Sequence, residues 1–179
     1  CIRDRNNLSF ELLPSEILSI VGESGSGKSI TAKSILGLLP RNFSVSGEIK
    51  YYEKNLIQAD EKAMLGVRGH EIGLVFQEPM TALNPVLSIG EQLTESMIIS
   101  GKVNSKVAHG LALEMLNRVG IPHPKERMEQ FPHEFSGGMR QRILIAMMML
   151  MEPNILIADE PTTALDVTIQ AQILDLLST

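Results

Sequence analysis

Apolar and polar positions alternate along Leu8-Ser9-Phe10-Glu11-Leu12 with the period of a half-buried strand, after a polar, aperiodic start from Cys1 to Asn7. Pro14-Ser15-Glu16 supplies a turn before a second apolar run, Ile17-Leu18-Ser19-Ile20-Val21, which reads as a buried strand. From Lys28 the period lengthens: Ala32, Ile35 and Leu36 share a helical face, and Pro40 marks the end of that helix. Gly47-Glu48-Ile49-Lys50-Tyr51 alternates again, and Asp60 is placed to cap a short helix toward Val67. Ile72-Gly73-Leu74-Val75-Phe76 is a short apolar strand with Gln77 at its end, followed by a loop holding Pro79, Asn84 and Pro85. Ser88 and Glu91, at capping-box spacing, open a helix with Ile89, Leu93 and Met97 on one face. The next helix carries Val107, Leu111, Met115 and Val119 inward and stops at Gly120 and Pro122. No strand pattern lies between Pro85 and Pro132, so this interval reads as an all-helical insertion. Phe135-Ser136-Gly137-Gly138 leads into a helix from about Met139 to Met151. Ile155-Leu156-Ile157-Ala158 is an unbroken apolar run, the pattern of a parallel strand covered on both faces. It ends on Asp159 and Glu160, Pro161 closes it, and a last helix turns Ile169, Ile173 and Leu176 or Leu177 inward.

Strands alternating with helices predict an α/β domain with a mostly parallel sheet, and 179 residues are one domain's worth of chain. The net charge of −5 gives no electrostatic footprint for nucleic acid or an anionic membrane. A single cysteine, Cys1, excludes an internal disulfide and fits a reducing compartment. No apolar stretch approaches the roughly twenty residues that span a bilayer, and no signal peptide is visible. The chain is expected to be soluble and to meet a membrane through a partner.

Candidate chemistry concentrates first at Gly22-Glu23-Ser24-Gly25-Ser26-Gly27-Lys28-Ser29, which matches G-x-x-x-x-G-K-S between an apolar run and a helix. The glycines let main-chain N–H groups approach an anion, and the helix start adds unsatisfied N–H groups and about half a positive charge. Lys28 is the residue to reach β- and γ-phosphates, and the Ser29 hydroxyl the one to ligate Mg²⁺. The stretch from Gly22 through Ile30 is therefore the candidate nucleotide-binding segment. Asp159 and Glu160 add a carboxylate for Mg²⁺, acting through its water shell, and a base to polarise an attacking water. An Asp-Glu pair at a strand end is common by itself; beside a phosphate loop it points to phosphoryl chemistry.

Phe135-Ser136-Gly137-Gly138-Met139-Arg140-Gln141-Arg142 places a serine and two glycines at a helix start, a second anion site without its own lysine or acids. This segment resembles the signature motif of the ATP-binding cassette ATPases. The resemblance extends to Gln77, at the position of that family's Q-loop glutamine, and to Ala164-Leu165-Asp166, which matches its D-loop. It implies a P-loop NTPase (RecA-like) core, a partial N-terminal antiparallel β-subdomain and an inserted α-helical subdomain. Residues 1–179 would form one cassette domain, with 1–84 and 135–179 in the β-subdomain and core and 85–134 helical. It further implies ATP and Mg²⁺ as ligands, with Glu160 and Gln77 catalytic and Ser29, Gln77 and Asp159 around the metal. Ser136, Gly137, Gly138 and Asp166 would act on the ATP of a second cassette subunit paired head to tail.

The segments Phe76–Pro85 and Pro161–Gln172 are similar to those of peptide and nickel importer ATPases. That resemblance implies membrane permeases as direct partners and an extracytoplasmic substrate-binding protein as an indirect one. The implied location is peripheral, on the cytoplasmic face of the inner membrane, with no nucleic-acid partner. The alternative is a soluble cassette ATPase acting on ribosomes or DNA; a short helical insertion and an acidic chain weigh against it. A small-molecule kinase or GTPase would explain the phosphate loop but not Ser136-Gly137-Gly138.

Some residues depart from the family pattern. None of His70, His109, His123 and His133 follows Asp166, where the family's switch histidine would stand, and no clear adenine-stacking aromatic precedes the phosphate loop. Ser15 and Glu53 stand where glycines are usual at hairpin turns. The chain is thus expected to be a fragment truncated at both ends, to turn over little or no ATP by itself, and to begin with Cys1 to Arg5 that need not be native. Met147-Met148-Met149-Leu150-Met151 reads as core rather than a soft-metal site. Arg140 could touch nucleotide; Arg142 is expected merely to solvate its helix.

Overall fold

The computed structural model describes residues 8–75, 82–101, 103–161 and 167–177, with Val167, Thr168 and Leu177 described by their backbone only. The chain divides into two compact units, 1–59 and 60–179.

In the first unit, the predicted turn at Pro14 forms. Glu16 N–H donates to the Leu13 carbonyl, and Ser15 takes a left-handed φ of 60°, a conformation glycine would adopt without strain. The flanking runs Leu8–Leu12 and Ile17–Val21 do not form strands, contrary to expectation, and their apolar side chains are exposed, Val21 to 92%. A strand needs a neighbour to receive its backbone hydrogen bonds, and the described residues of this unit supply no such ladder. Helix α1 (Lys28–Ile35) follows the phosphate-loop segment. Gly37, with φ 62°, ends it earlier than the predicted Pro40. Gly37 N–H donates to Ser34 and Leu38 N–H to Lys33, the paired bonds of a Schellman cap. The strand predicted over 47–51 shrinks to β1 (Lys50–Tyr51), because Gly47 sits at φ 103° and breaks the extended run. It pairs antiparallel with β2 (Lys54–Asn55) across a tight turn.

The second unit opens with α2 (Glu61–Val67), capped as predicted by Asp60, whose carboxylate accepts from Ala63 N–H at 2.8 Å. Strand β3 (Ile72–Val75) is buried throughout. Then come α3 (Ile89–Ile99), α4 (Ser105–Arg118), the short α5 (Pro124–Arg127), a 3₁₀ turn (Pro132–Glu134) and α6 (Gly137–Leu150). Strand β4 (Ile155–Ala158) and α7 (Val167–Leu177) complete it. No strand lies between 85 and 134 among the described residues. β4 runs parallel to β3 with Ile72 opposite Ile155 and Val75 opposite Ala158. Gly73 permits this packing: a Cβ there would come within 3.1 Å of Leu156 Cδ1 and Pro153 Cγ. β4 is half-buried rather than covered on both faces, because among the described residues it has a sheet neighbour on one side only.

The core of this unit is built by β3, α3, α4, α6 and α7. α6 is buried from Ile143 to Ala146 on every side, and Met147, Met148 and Met149 pack against the same core. α3 turns Ile89, Leu93 and Met97 inward as its pattern predicts. α4 meets expectation at the buried Met115 and Val119 but departs from it in its first half. Ala108, Ala112, Met115 and Leu116 face the core, while Val107 and Leu111 are exposed to 45% and 39%. Small side chains let α4 approach α3 and α6 closely, and that close packing outweighs burial of the larger Val and Leu.

The capping box opening α3 is complete. Ser88 Oγ accepts from Glu91 N–H at 3.2 Å, and the Glu91 carboxylate accepts from Ser88 N–H and hydroxyl at 2.8 Å each. The backbone N–H of Ser88 first, and its hydroxyl second, hold the Glu91 carboxyl below its ordinary value. Since the folded group is the stronger acid, its contribution is present above the ordinary carboxylate range and is lost as pH falls through the lowered value. Ser88→Ala should cost about 0.5–2 kcal/mol in urea unfolding at neutral pH. Glu91→Gln should flatten the acid limb of the stability profile; an unchanged limb would exclude this carboxylate as its source.

Candidate functional site

The segment Gly22–Ser29 forms a loop closed around its lysine. Gly25 and Gly27 take φ values of 75° and 91°, in the left-handed region that favours glycine. Ser26 N–H donates back to the Glu23 carbonyl, and Lys28 Nζ donates to the carbonyls of Gly22 at 2.8 Å and Glu23 at 3.2 Å. Gly22 lies close to Ser26: a Cβ there would stand 2.7 Å from Ser26 Oγ, so the serine side chain would have to move. α1 begins directly at Lys28 with Gly27 as N-cap, which supplies no side-chain cap. The N–H groups of a helix's first turn lack intrahelical acceptors, so this end presents donors and partial positive charge where Lys28 adds a full charge. Ser29 lies in that first turn, half-buried, with its neighbour Ile30 exposed. A wrapped glycine loop, an ammonium and a serine at a bare helix start together fit the phosphates of a nucleotide.

Asp159 and Glu160 stand at the end of β4. Asp159 N–H donates to the Val75 carbonyl at 3.0 Å, continuing the β3–β4 ladder one residue past the strands. The carboxyl ends of both strands therefore lie side by side, the usual place for a ligand in an open α/β sheet. Glu160 is exposed and has φ 50°, an uncommon conformation for a residue with a Cβ, of the kind stored at functional sites. Gln77, two positions after β3, and Asp166, before α7, lie outside the described residues.

Ser136 caps α6, its Oγ accepting from Met139 N–H at 3.3 Å, which leaves the hydroxyl hydrogen directed elsewhere. Ser136 and Gly137 are exposed, and a Cβ at Gly137 would meet nothing within 4 Å. The chain's own packing does not demand glycine at 137. Behind this end, Phe135 is buried, and the Arg127 guanidinium lies 5.5 Å over its ring.

Two residues escaped the sequence reading. Gln92, on α3, is 6% exposed and clamps the turn after the Gln77 segment. Its oxygen accepts from Asn84 N–H at 2.8 Å, and its nitrogen donates to the carbonyls of Asn84 and Leu87 at 3.0 and 2.9 Å. The available signal was a polar residue beside Leu93 on an otherwise apolar face. Arg142, expected to be solvated, is half-buried, and its guanidinium donates to the Val119 and Gly120 carbonyls.

Comparison with known proteins matches the family model described as ABC transporter to residues 5–163. The dipeptide transport ATP-binding protein DppD of Bacillus subtilis is 56% identical over 94% of this chain and 51% of its own length. The oligopeptide transport ATP-binding protein OppD of the same organism is 54% identical over 95% of this chain and 48% of its own. The chain thus spans about half the length of these curated relatives. A solved dimeric post-hydrolysis state of the ATP-binding cassette MJ0796, bound to ADP and Pi, superposes with a TM-score of 0.82. It is 30% identical, and the match covers 94% of this chain and 70% of that one.

The two glycine-bearing helix starts should respond differently to alanine. Gly27→Ala forces a left-handed φ on a residue with a Cβ and should cost about 1–2 kcal/mol of stability. Gly137→Ala should stay within about 0.5 kcal/mol of the parent in urea unfolding. An equal loss at both positions would mean that internal packing, not an external ligand, requires glycine at 137.

Proposed function

This chain belongs to the ABC transporter family, and we propose that it is the ATP-binding and ATP-hydrolysing part of a peptide importer's cassette subunit. The observation that carries the reading is the Gly22–Ser29 loop, where two left-handed glycines wrap the backbone around Lys28 at the bare start of α1. Residues 22–30 hold the triphosphate: backbone N–H groups and Lys28 bind phosphate oxygens, and the Ser29 hydroxyl faces the metal. Ser29, Gln77 and Asp159 are the residues that would hold Mg²⁺, directly or through water, and the ion would supply charge neutralisation on the phosphates. Glu160 accepts a proton from water as the water oxygen bonds to the γ-phosphorus and the bond to the ADP oxygen breaks.

One helix start carries a lysine and the other only a serine and glycines, so each completes a site on a different subunit. Ser136, Gly137, Gly138 and Asp166 of one copy close on the ATP of a second cassette, identical or homologous. The dimeric assembly named for the MJ0796 structures supports that arrangement. The printed names of the Bacillus subtilis relatives, dipeptide and oligopeptide transport proteins, support peptides as cargo. No helix among the described residues is long and apolar enough to cross a membrane. The peptide-importer reading assigns passage to partner permeases, with this chain on their cytoplasmic face and a substrate-binding protein acting on the other. The helical stretch 85–134 is the part assigned to those permeases, and the remainder to the nucleotide.

In the full-length protein, Glu160→Gln should lower ATP turnover by roughly 10²–10⁴-fold while ATP binding persists. Lys28→Ala should weaken ATP binding itself. Near-parental hydrolysis by the Glu160→Gln variant would remove Glu160 from the role of base.

A further inference from the structure

α4 ends in a complete Schellman cap. Gly120 N–H donates to Asn117 and Ile121 N–H to Leu116, with Gly120 left-handed at φ 72° and Leu116 and Ile121 both buried. This cap satisfies the Asn117 and Leu116 carbonyls and leaves those of Val119 and Gly120 outside its own bonds. Both are taken by one side chain of another helix: Arg142 of α6 donates through the same guanidinium nitrogen to Val119 O at 3.3 Å and Gly120 O at 2.5 Å. A full positive charge thus sits at the negative end of the α4 dipole, the favourable sign for that end. Glycine at 120 permits the approach twice over. It adopts the left-handed φ, and a Cβ there would stand 3.2 Å from the Arg142 nitrogen and 3.9 Å from Gln172 Oε1 of α7. Three helices therefore converge on one atom position.

Arg142 lies six residues beyond Ser136 on α6, about 9 Å along its axis. Between them, Gln141 is buried, and beyond them α6 is gripped by core on all sides. The α4 end thus holds a charged α6 side chain within two turns of the exposed Ser136 end.

We propose that Arg142 is a positioning residue that locks the C-terminus of α4 to the helix carrying Ser136, so that the orientation of the α3–α4 hairpin sets that of Ser136 toward a second subunit's ATP. This rests on the reading of Ser136 given above. Lysine is a partial substitute, because its ammonium reproduces the charge but sits on a flexible stem without the rigid guanidinium plane that fixes the donating nitrogen.

The test uses the full-length protein and Mg-ATP, with ATP affinity of the isolated subunit, turnover at saturating ATP and ATP-driven dimer formation in a Glu160→Gln background as readouts. Arg142→Ala should leave ATP affinity within about twofold while turnover and dimer formation each fall roughly 3- to 30-fold. Arg142→Lys should recover part of the loss, and Gly120→Ala, which crowds the guanidinium, should copy it. If Arg142→Ala does not fold, Arg142→Lys decides alone: reduced turnover at unchanged ATP affinity supports the role, and unchanged turnover overturns it. A lowered melting temperature with parental turnover and dimerisation would make Arg142 a stability residue only and overturn the proposal. So would a loss confined to ATP affinity. A parent that neither binds nor hydrolyses ATP would overturn this role and the ATPase reading together, whereas a normal parent indifferent to Arg142 overturns this role alone.

Discussion

α6 carries two demands that oppose each other. Its middle, from Ile143 to Ala146, is buried on every side and holds α3, α4 and β3 together, while its first residues stay exposed. A helix apolar all round belongs inside a core, and one whose N-terminus is to meet a ligand belongs at a surface. The chain reconciles the two by letting α6's burial fall away through the half-buried Gly138, Met139 and Arg140. Ser136 and Gly137 project beyond the core, with Phe135 anchored just behind them under Arg127. Packing elsewhere in the second unit follows from this placement. Ala108 and Ala112 turn inward because α4 must come close to α6, and α4's end meets Arg142.

The two candidate anion-binding ends are built by different means. At α1 the cap is Gly27 in the left-handed region, a residue that brings no side-chain cap to the helix start. At α6 the cap is Ser136, whose oxygen already accepts from Met139, so its hydroxyl is disposed to donate outward. The first end carries a lysine at its first helical position, and the second carries a serine followed by two glycines. This chemical inequality is what a site shared between two subunits requires.

Backbone strain is distributed with similar economy. Ser15 adopts a left-handed φ in a turn where glycine would be relaxed, a local cost of roughly 1 kcal/mol with no evident chemical return. Glu160 bears the same kind of strain directly after the β3–β4 ladder, where it re-aims the chain as the sheet ends. In the second case the strain coincides with the residue assigned to activate water.

Features governed by neighbours in sequence were legible from the sequence alone. Asp60 and Ser88 cap their helices, Gly120 stops α4, and Gly22–Ser29 forms a wrapped loop at a helix start, because caps, glycine turns and helix dipoles act over three to six residues. The apolar run Ile155–Ala158 was recognisable as a strand ending in acids for the same reason. Where the outcome depended on distant partners, tertiary structure decided. Leu8–Leu12 and Ile17–Val21 alternate or run apolar as strands do, yet form none without a ladder to join. The inward face of α4 was chosen by how closely α6 approaches, which period alone does not encode. Gln92 and Arg142 look like ordinary surface polar residues in the sequence. They acquire roles only because folding brings backbone carbonyls from the Asn84 turn and the α4 terminus within reach, and a buried carbonyl must be satisfied by whichever donor the packing delivers.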